Sequence, residues 1–101
     1  MANNYYHHKY PNTIIFYKLK DGYTAFGEDA EKVCRVLNSR PNVYRSSLLP
    51  MCAIQYEQYL ETVDLLNDCG LHCRSVVYRD SCGDLSVPCA EFLSMEQEID
   101  Y

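Results

Sequence analysis

The pattern of apolar and polar positions along the chain predicts strands that alternate with helices. Residues 13–20 (TIIFYKLK) are rich in β-branched and aromatic side chains, and both faces of this segment are apolar at its start. This pattern predicts a central strand that becomes polar at its end. Asp21 and Gly22 then mark a turn, and residues 23–26 predict a short second strand.

Two amphipathic segments predict helices. The first begins after Gly27 and ends near Asn38, because Pro41 cannot continue a helix. The second runs from about residue 57 to residue 68, and Gly70 is well placed to end it.

The remaining apolar runs complete the predicted fold. Further strands are predicted over residues 42–45, 48–54, 71–78 and 85–87. Pro50 should restrict its strand to a sheet edge or a bulge, and a final helix is expected over residues 89–98. The order predicts a single α/β domain over residues 13–101, a small mixed β-sheet flanked by helices, after a polar and aromatic N-terminal arm over residues 1–12.

The charge is unevenly distributed. The 101 residues carry a net charge of -5, with seven basic and four acidic residues in positions 1–50 and two basic and ten acidic residues in positions 51–101. Dedicated nucleic-acid binders usually show a basic footprint, so any DNA contact must come from the first half. The alternative is a solvated, mildly dipolar surface.

The cysteines are expected to be free thiols. There are six, at Cys34, Cys52, Cys69, Cys73, Cys82 and Cys89. No charged-then-apolar leader opens the chain and no apolar run approaches the roughly 20 residues of a membrane span, so we expect a cytoplasmic protein with no membrane contact. Disulfides are rare in such a reducing compartment.

No pattern favours a cofactor, a metal or catalysis. Cys69, His72 and Cys73 form a C-x2-H-C group, but the fourth zinc ligand would have to come from a distant segment. No nucleophile motif surrounds any cysteine and no glycine-rich phosphate loop is present. The acidic pair Glu28-Asp29 fits the first turn of a helix better than acid–base chemistry. We therefore expect a non-enzymatic chain without a cofactor, and a zinc or redox role trails the other hypotheses.

Two blocks of the sequence resemble a known family. Residues 16–30 (FYKLKDGYTAFGEDA) resemble the string FRMGDFYELFGEDA that opens the N-terminal mismatch-recognition domain, domain I, of MutS proteins. Residues 50–56 (PMCAIQY), followed later by Gly70, resemble the family's PMAGVPYH, helix and glycine. The resemblance covers residues 13–78 and implies a small mixed sheet flanked by helices in a protein of DNA metabolism.

The chain departs from the family at the positions that read a mismatch. MutS domain I inserts a phenylalanine beside the mispaired base, and a glutamate two residues later hydrogen-bonds that base. An aromatic wedge of this kind costs least where pairing is already poor. Here the phenylalanine aligns with Gly22 and the glutamate with Thr24, while the aromatic between them remains as Tyr23. The resemblance therefore implies a relative without its reading head, and 101 residues leave no room for the clamp, lever and ATPase domains.

The turn between the first two strands is the first candidate site. As a DNA-contacting loop it would use Tyr23 to stack and Lys18 and Lys20 to bind phosphates, around Gly22 and Thr24. Its partner would be double-stranded DNA or a DNA-bound protein. The alternative is a plain β-turn in which the glycine supplies backbone freedom.

The tyrosines suggest a second function. Ten tyrosines and no tryptophan occur in the chain, and Tyr5, Tyr6 and Tyr10 in the arm are candidates for a protein interface, including a homodimer. The alternative is that they are half-buried tyrosines whose hydroxyls stay in water. This hypothesis describes an interaction module that kept the fold and lost DNA recognition.

Overall fold

The computed structural model describes residues 7–20, 22–39, 42–44 and 49–77. Its strands are β1 (Thr13–Leu19), β2 (Gly22–Phe26), β3 (Asn42–Tyr44), β4 (Leu49–Ile54) and β5 (His72–Val77). Its main helices are α1 (Glu28–Val36) and α2 (Tyr59–Asp68), the latter preceded by a 3-10 turn, Tyr56–Gln58. These elements follow the order that the apolar pattern predicts, whereas the predicted strand 85–87 and helix 89–98 lie outside the described residues.

The described strands form one mixed sheet of five strands in the order β3-β4-β2-β1-β5. β1 runs parallel to β5, and all other neighbours are antiparallel. The α/β class and the mixed sheet are confirmed. Within the described ranges, no helix is long and apolar enough to cross a membrane.

The core lies between the sheet and the two helices. Its buried members are Ile14, Phe16, Ala25, Ala30, Val33, Cys34, Cys52, Ile54 and Leu66. On the other face of the sheet, Ile15, Tyr17 and Leu19 of β1 are also fully buried. Because successive strand residues alternate between faces, burial on both faces explains why β1 has a continuous apolar run.

The prediction that Pro50 restricts its strand to a sheet edge or a bulge is wrong. β4 pairs with β3 on one side and with β2 on the other, so it lies inside the sheet. Pro50 is tolerated because β2 ends at Phe26, and the next residue, Gly27, donates its N–H to the Pro50 carbonyl at 2.9 Å. The Gly27 carbonyl accepts from the N–H of Glu31 in α1 (3.2 Å), so it does not need the donor that proline lacks.

The described part of the N-terminal arm is attached to the domain. His7 Nε2 contacts Asp29 Oδ2 at the start of α1, and the Tyr10 ring lies 4.0 Å from the guanidinium carbon of Arg74 in β5. Tyr5 and Tyr6 lie outside the described residues. Tyr10, half-buried, already contacts the chain's own β5.

Candidate nucleic-acid interface

The backbone at Gly22 is packed against the neighbouring strand. Gly22 begins β2 with a φ of 141°, and a Cβ built there would lie 2.4 Å from the carbonyl oxygen of Ile54. Real Cβ atoms do not approach backbone this closely, and positive φ also disfavours any L side chain. Position 22, where the resemblance implies the wedge phenylalanine, is therefore closed to side chains.

Thr24 is equally withdrawn from the surface. Its residue is 0% exposed, and it lies between Tyr17 of β1 and Ala53 of β4 in the sheet register. Within the part of the chain that the structure describes, the Thr24 hydroxyl has no hydrogen-bond partner. Position 24, where the resemblance implies the family's glutamate, thus presents no group to a ligand.

Tyr23 is held by other aromatic rings. It stacks on Tyr59, with 3.8 Å between ring centroids and 16° between planes, and meets Tyr56 in a T-shaped contact at 5.5 Å. Tyr59 in turn makes an edge contact with Phe16 in the core at 5.3 Å. We call Tyr23, Tyr56 and Tyr59 the tyrosine cluster. Since Tyr23 is half-buried inside it, its ring cannot extend outward as a wedge without breaking these contacts.

The tyrosine cluster is electrically neutral where it meets the core. Burial raises the pKa of the Tyr59 hydroxyl, and a hydrogen bond with Ser75 lowers it by less. The phenol therefore stays protonated over the physiological range.

Two lysines flank the tyrosine cluster. Lys18 pairs with Tyr23 across β1 and β2, and its Nζ lies 5.8 Å from the centroid of the Tyr56 ring. Lys20 follows the end of β1 and is exposed. The structure thus brings together Lys18, Lys20 and Tyr23 from the predicted site, and it separates them from Gly22 and Thr24, which are buried.

Tyr56 is a member of this surface that the sequence pattern did not single out. It is 40% exposed and stands in the 3-10 turn before α2, which is held by the bond from the N–H of Gln58 to the carbonyl of Gln55 at 3.0 Å. The sequence feature that could have indicated Tyr56 is its place at the end of residues 50–56, the second block that resembles the family, just before the predicted helix. Its proximity to Lys18 depends on the β1–β2–β4 pairing, which is non-local. We call Lys18, Lys20, Tyr23 and Tyr56 the basic–aromatic surface.

The four cysteines that the structure describes do not gather into a metal site. Cys69 and His72 are exposed, whereas Cys73 is half-buried and packs against the core. Among the residues that the structure describes, no three His, Cys, Asp or Glu side chains are placed to hold a metal ion together.

The two buried thiols behave as small apolar groups. Cys34 and Cys52, both free, are buried in the core. Burial, with a smaller contribution from Cys34, raises the pKa of the Cys52 thiol to about 12. Burial and the nearby Asp29 raise the pKa of Cys73 to about 11. Neither Cys52 nor Cys73 forms a thiolate at neutral pH, which argues against a nucleophilic role for either thiol.

The comparisons with known proteins agree with this fold. The family model of MutS domain I matches residues 2–73. The DNA mismatch repair protein MutS of Staphylococcus carnosus (strain TM300) is 33% identical over 61 residues, which cover 54% of this chain and 7% of that protein. The match thus spans less than a tenth of its relative. On the family model and the mixed sheet together, this chain belongs to the MutS domain I family.

Proposed function

We propose that the chain is a non-enzymatic module that contacts DNA through the basic–aromatic surface and does not insert a wedge. Membership of the MutS domain I family supports a module of the mismatch-recognition type, and the similar protein from Staphylococcus carnosus is named for DNA mismatch repair. The single observation that carries the proposal is the approach of Lys18 Nζ to 5.8 Å from the centroid of the exposed Tyr56 ring, with the exposed Lys20 at the end of the same strand.

The electrostatics support modest, salt-sensitive binding. Lysines bind DNA by neutralising phosphates and releasing counterions, so affinity falls with salt by a slope of about 0.9 per contact. Two lysines on a chain with a net charge of -5 predict a shallow slope and weak affinity. Such a module would act beside another DNA-bound protein or at high local concentration.

The absence of a wedge predicts the kind of DNA contact. Gly22 has no side chain and no room for one, and Thr24 is buried. Unstacking a base step costs free energy, and without an inserted aromatic group no new contacts offset that cost. The proposed contact is therefore made mainly with phosphates, and it does not distinguish a mismatch from a paired step.

The test is duplex binding by fluorescence anisotropy at low and moderate salt. The double variant Lys18→Ala/Lys20→Ala should weaken binding and reduce the salt slope by about 2. The control is Lys32→Ala/Arg35→Ala, which removes the same charge from exposed positions of α1. If both double variants weaken binding equally, or if the wild type binds no duplex at low salt, the proposal is wrong.

The alternative function is a protein-interaction module, with a homodimer formed through Tyr5, Tyr6 and Tyr10. Tyr10 is a weaker candidate, because it is half-buried beside Arg74. Sedimentation of the full chain and of a chain with all three tyrosines changed to serine tests it. A monomer in both cases would remove the homodimer.

A further inference from the structure

We propose that Tyr56 is a stacking platform for an unpaired nucleobase, so that the basic–aromatic surface binds single-stranded nucleic acid in preference to duplex. The inference rests on the proposed function and names the ligand class of the same surface. The aromatic contact with the ligand would then be made by Tyr56, in the connection between β4 and α2, and not at the closed position Gly22.

Tyr56 is the ring of the tyrosine cluster that has room for a ligand. Tyr59 is stacked face to face with Tyr23 at 3.8 Å, so these two rings already cover each other. Tyr56 meets Tyr23 only in a perpendicular contact and stays 40% exposed. Among the described residues, no ring is stacked parallel to it, and the flexible Lys18 side chain, whose Nζ lies over the ring at 5.8 Å from its centroid, can give way to a flat partner.

The support beneath Tyr56 keeps the ring in place before a ligand arrives. Its backbone lies in the 3-10 turn that leads into α2, and the ring leans on Tyr23, which is fixed by Tyr59. A tyrosine has only two rotatable side-chain bonds, so it loses little conformational entropy on binding. A supported, exposed ring is the arrangement on which single-strand binding proteins stack bases.

The ammonium group of Lys18, close to the Tyr56 ring, can bind the phosphate of a nucleotide. Lys18 Nζ lies 5.8 Å from the Tyr56 centroid, and the phosphate of a nucleotide is one sugar away from its base. The ring can therefore stack a base while the ammonium group binds a phosphate of the same strand. In a duplex the base faces are covered by stacking on neighbouring bases, so only an unstacked base of a single strand reaches both groups.

One nearby charge opposes binding. Glu57 follows Tyr56 in the same turn and is exposed. Its carboxylate repels phosphates and lowers affinity, and it gives the proposal a gain-of-binding test. Glu57→Gln should strengthen binding of a single strand by roughly two- to fivefold at low salt.

The decisive experiment measures the affinity of the full chain for three nucleic acids of equal length. They are an oligo-dT strand, the same strand with abasic sites throughout, and a duplex. Wild type should bind oligo-dT more tightly than the abasic strand, although both carry the same phosphates. Equal affinity for the two strands would overturn the proposal without any variant. Duplex binding that depends on Lys18 and Lys20 would then leave the proposed function standing by itself.

The variants locate the contact. Tyr56→Ala should weaken oligo-dT binding roughly 5- to 150-fold, whereas Tyr56→Phe, which keeps the ring, should stay within about twofold. Leu60→Ala is the matched control, because it truncates another exposed apolar side chain in the next helical turn. If Tyr56→Ala binds like wild type, or if Tyr56→Ala and Leu60→Ala weaken binding equally, the platform is not Tyr56. Unfolding curves show whether each variant is folded when its binding is measured.

Discussion

Two parts of one short stretch, residues 16–30, have different roles in this molecule: one connects elements of the fold, and the other is closed to ligands. At its far end, the string Phe26-Gly-Glu-Asp-Ala30 matches that of MutS domain I and anchors the fold. Asp29, only 3% exposed, accepts a hydrogen bond from the N–H of Ile15 at 3.1 Å and pairs with His7. One carboxylate thus connects β1, α1 and the N-terminal arm.

In the middle of the stretch lie the two positions to which the resemblance assigns the reading of a mismatch, and the structure closes both. Gly22 leaves no space for a Cβ, and Thr24 is inside the sheet. The family-like string thus supplies a carboxylate that connects three elements, while these two positions offer no side chain to a ligand. Family membership therefore predicts the scaffold here, and function has to be argued from the surface.

The largest expected effect is at the closed wedge position. Gly22→Ala places a Cβ against the Ile54 carbonyl at positive φ, so we expect a loss of roughly 3 kcal/mol or more in the free energy of unfolding. Gly27→Ala is the matched control, because Gly27 also has positive φ (65°) but meets nothing within 4 Å. Its expected cost is the smaller of the two, about 1–2 kcal/mol from the strain of positive φ alone. Equal costs in urea unfolding would show that the position is open.

The anchor at Asp29 should have the next largest effect. Asp29→Ala removes the acceptor for the Ile15 N–H and the partner of His7, so we expect a loss of about 2–3 kcal/mol in the free energy of unfolding. The neighbouring Glu28 is exposed, and Glu28→Ala should cost less than about 0.5 kcal/mol. If thermal unfolding gives similar losses for both variants, the carboxylate is not an anchor.

These two predictions also show how far the sequence could lead. The strand β1 and both helices were predictable because their apolar spacing is local and regular. The Gly22 contact, the stacking of Tyr23 and the position of Pro50 depend on which strands become neighbours. That pairing is set by the whole sheet and leaves no local signal, so Pro50 was wrongly assigned to an edge or a bulge.

The buried thiol of Cys52 gives a pH dependence on the scaffold side. Its folded pKa of about 12 lies above the ordinary value of 9.0, so the unfolded chain loses this proton first as the pH rises. The stabilising contribution is complete below pH 9 and decreases on the order of 1.4 kcal/mol per pH unit between the two pKa values. Cys52→Ala should flatten the decrease in unfolding free energy between pH 9 and 11.

Other groups titrate in this range, so the measured quantity is the difference between wild type and variant. Cys69 is exposed, and Cys69→Ala should leave the slope of wild type unchanged. If Cys52→Ala and wild type have parallel curves above pH 9, the thiol ionises as easily in the folded chain as in the unfolded one.

The smallest effect has the opposite sign. Thr24→Val replaces a buried hydroxyl that lacks a partner, so we expect stabilisation of about 1 kcal/mol and unchanged DNA binding. Thr62→Val is the contrast, because the Thr62 hydroxyl donates to the Gln58 carbonyl at 2.9 Å. This variant should lose up to about 1 kcal/mol. A Thr24→Val variant with weakened DNA binding would return this position to the contact surface.

The most direct test of the account is the affinity of the wild-type chain for two duplexes that differ by a single mismatch, measured by anisotropy at low salt. Because the wedge position is closed and Tyr23 is held in the tyrosine cluster, the two affinities should agree within about twofold. A mismatched duplex bound about tenfold more tightly would contradict the account, since an aromatic side chain of this surface would then have to enter the base stack.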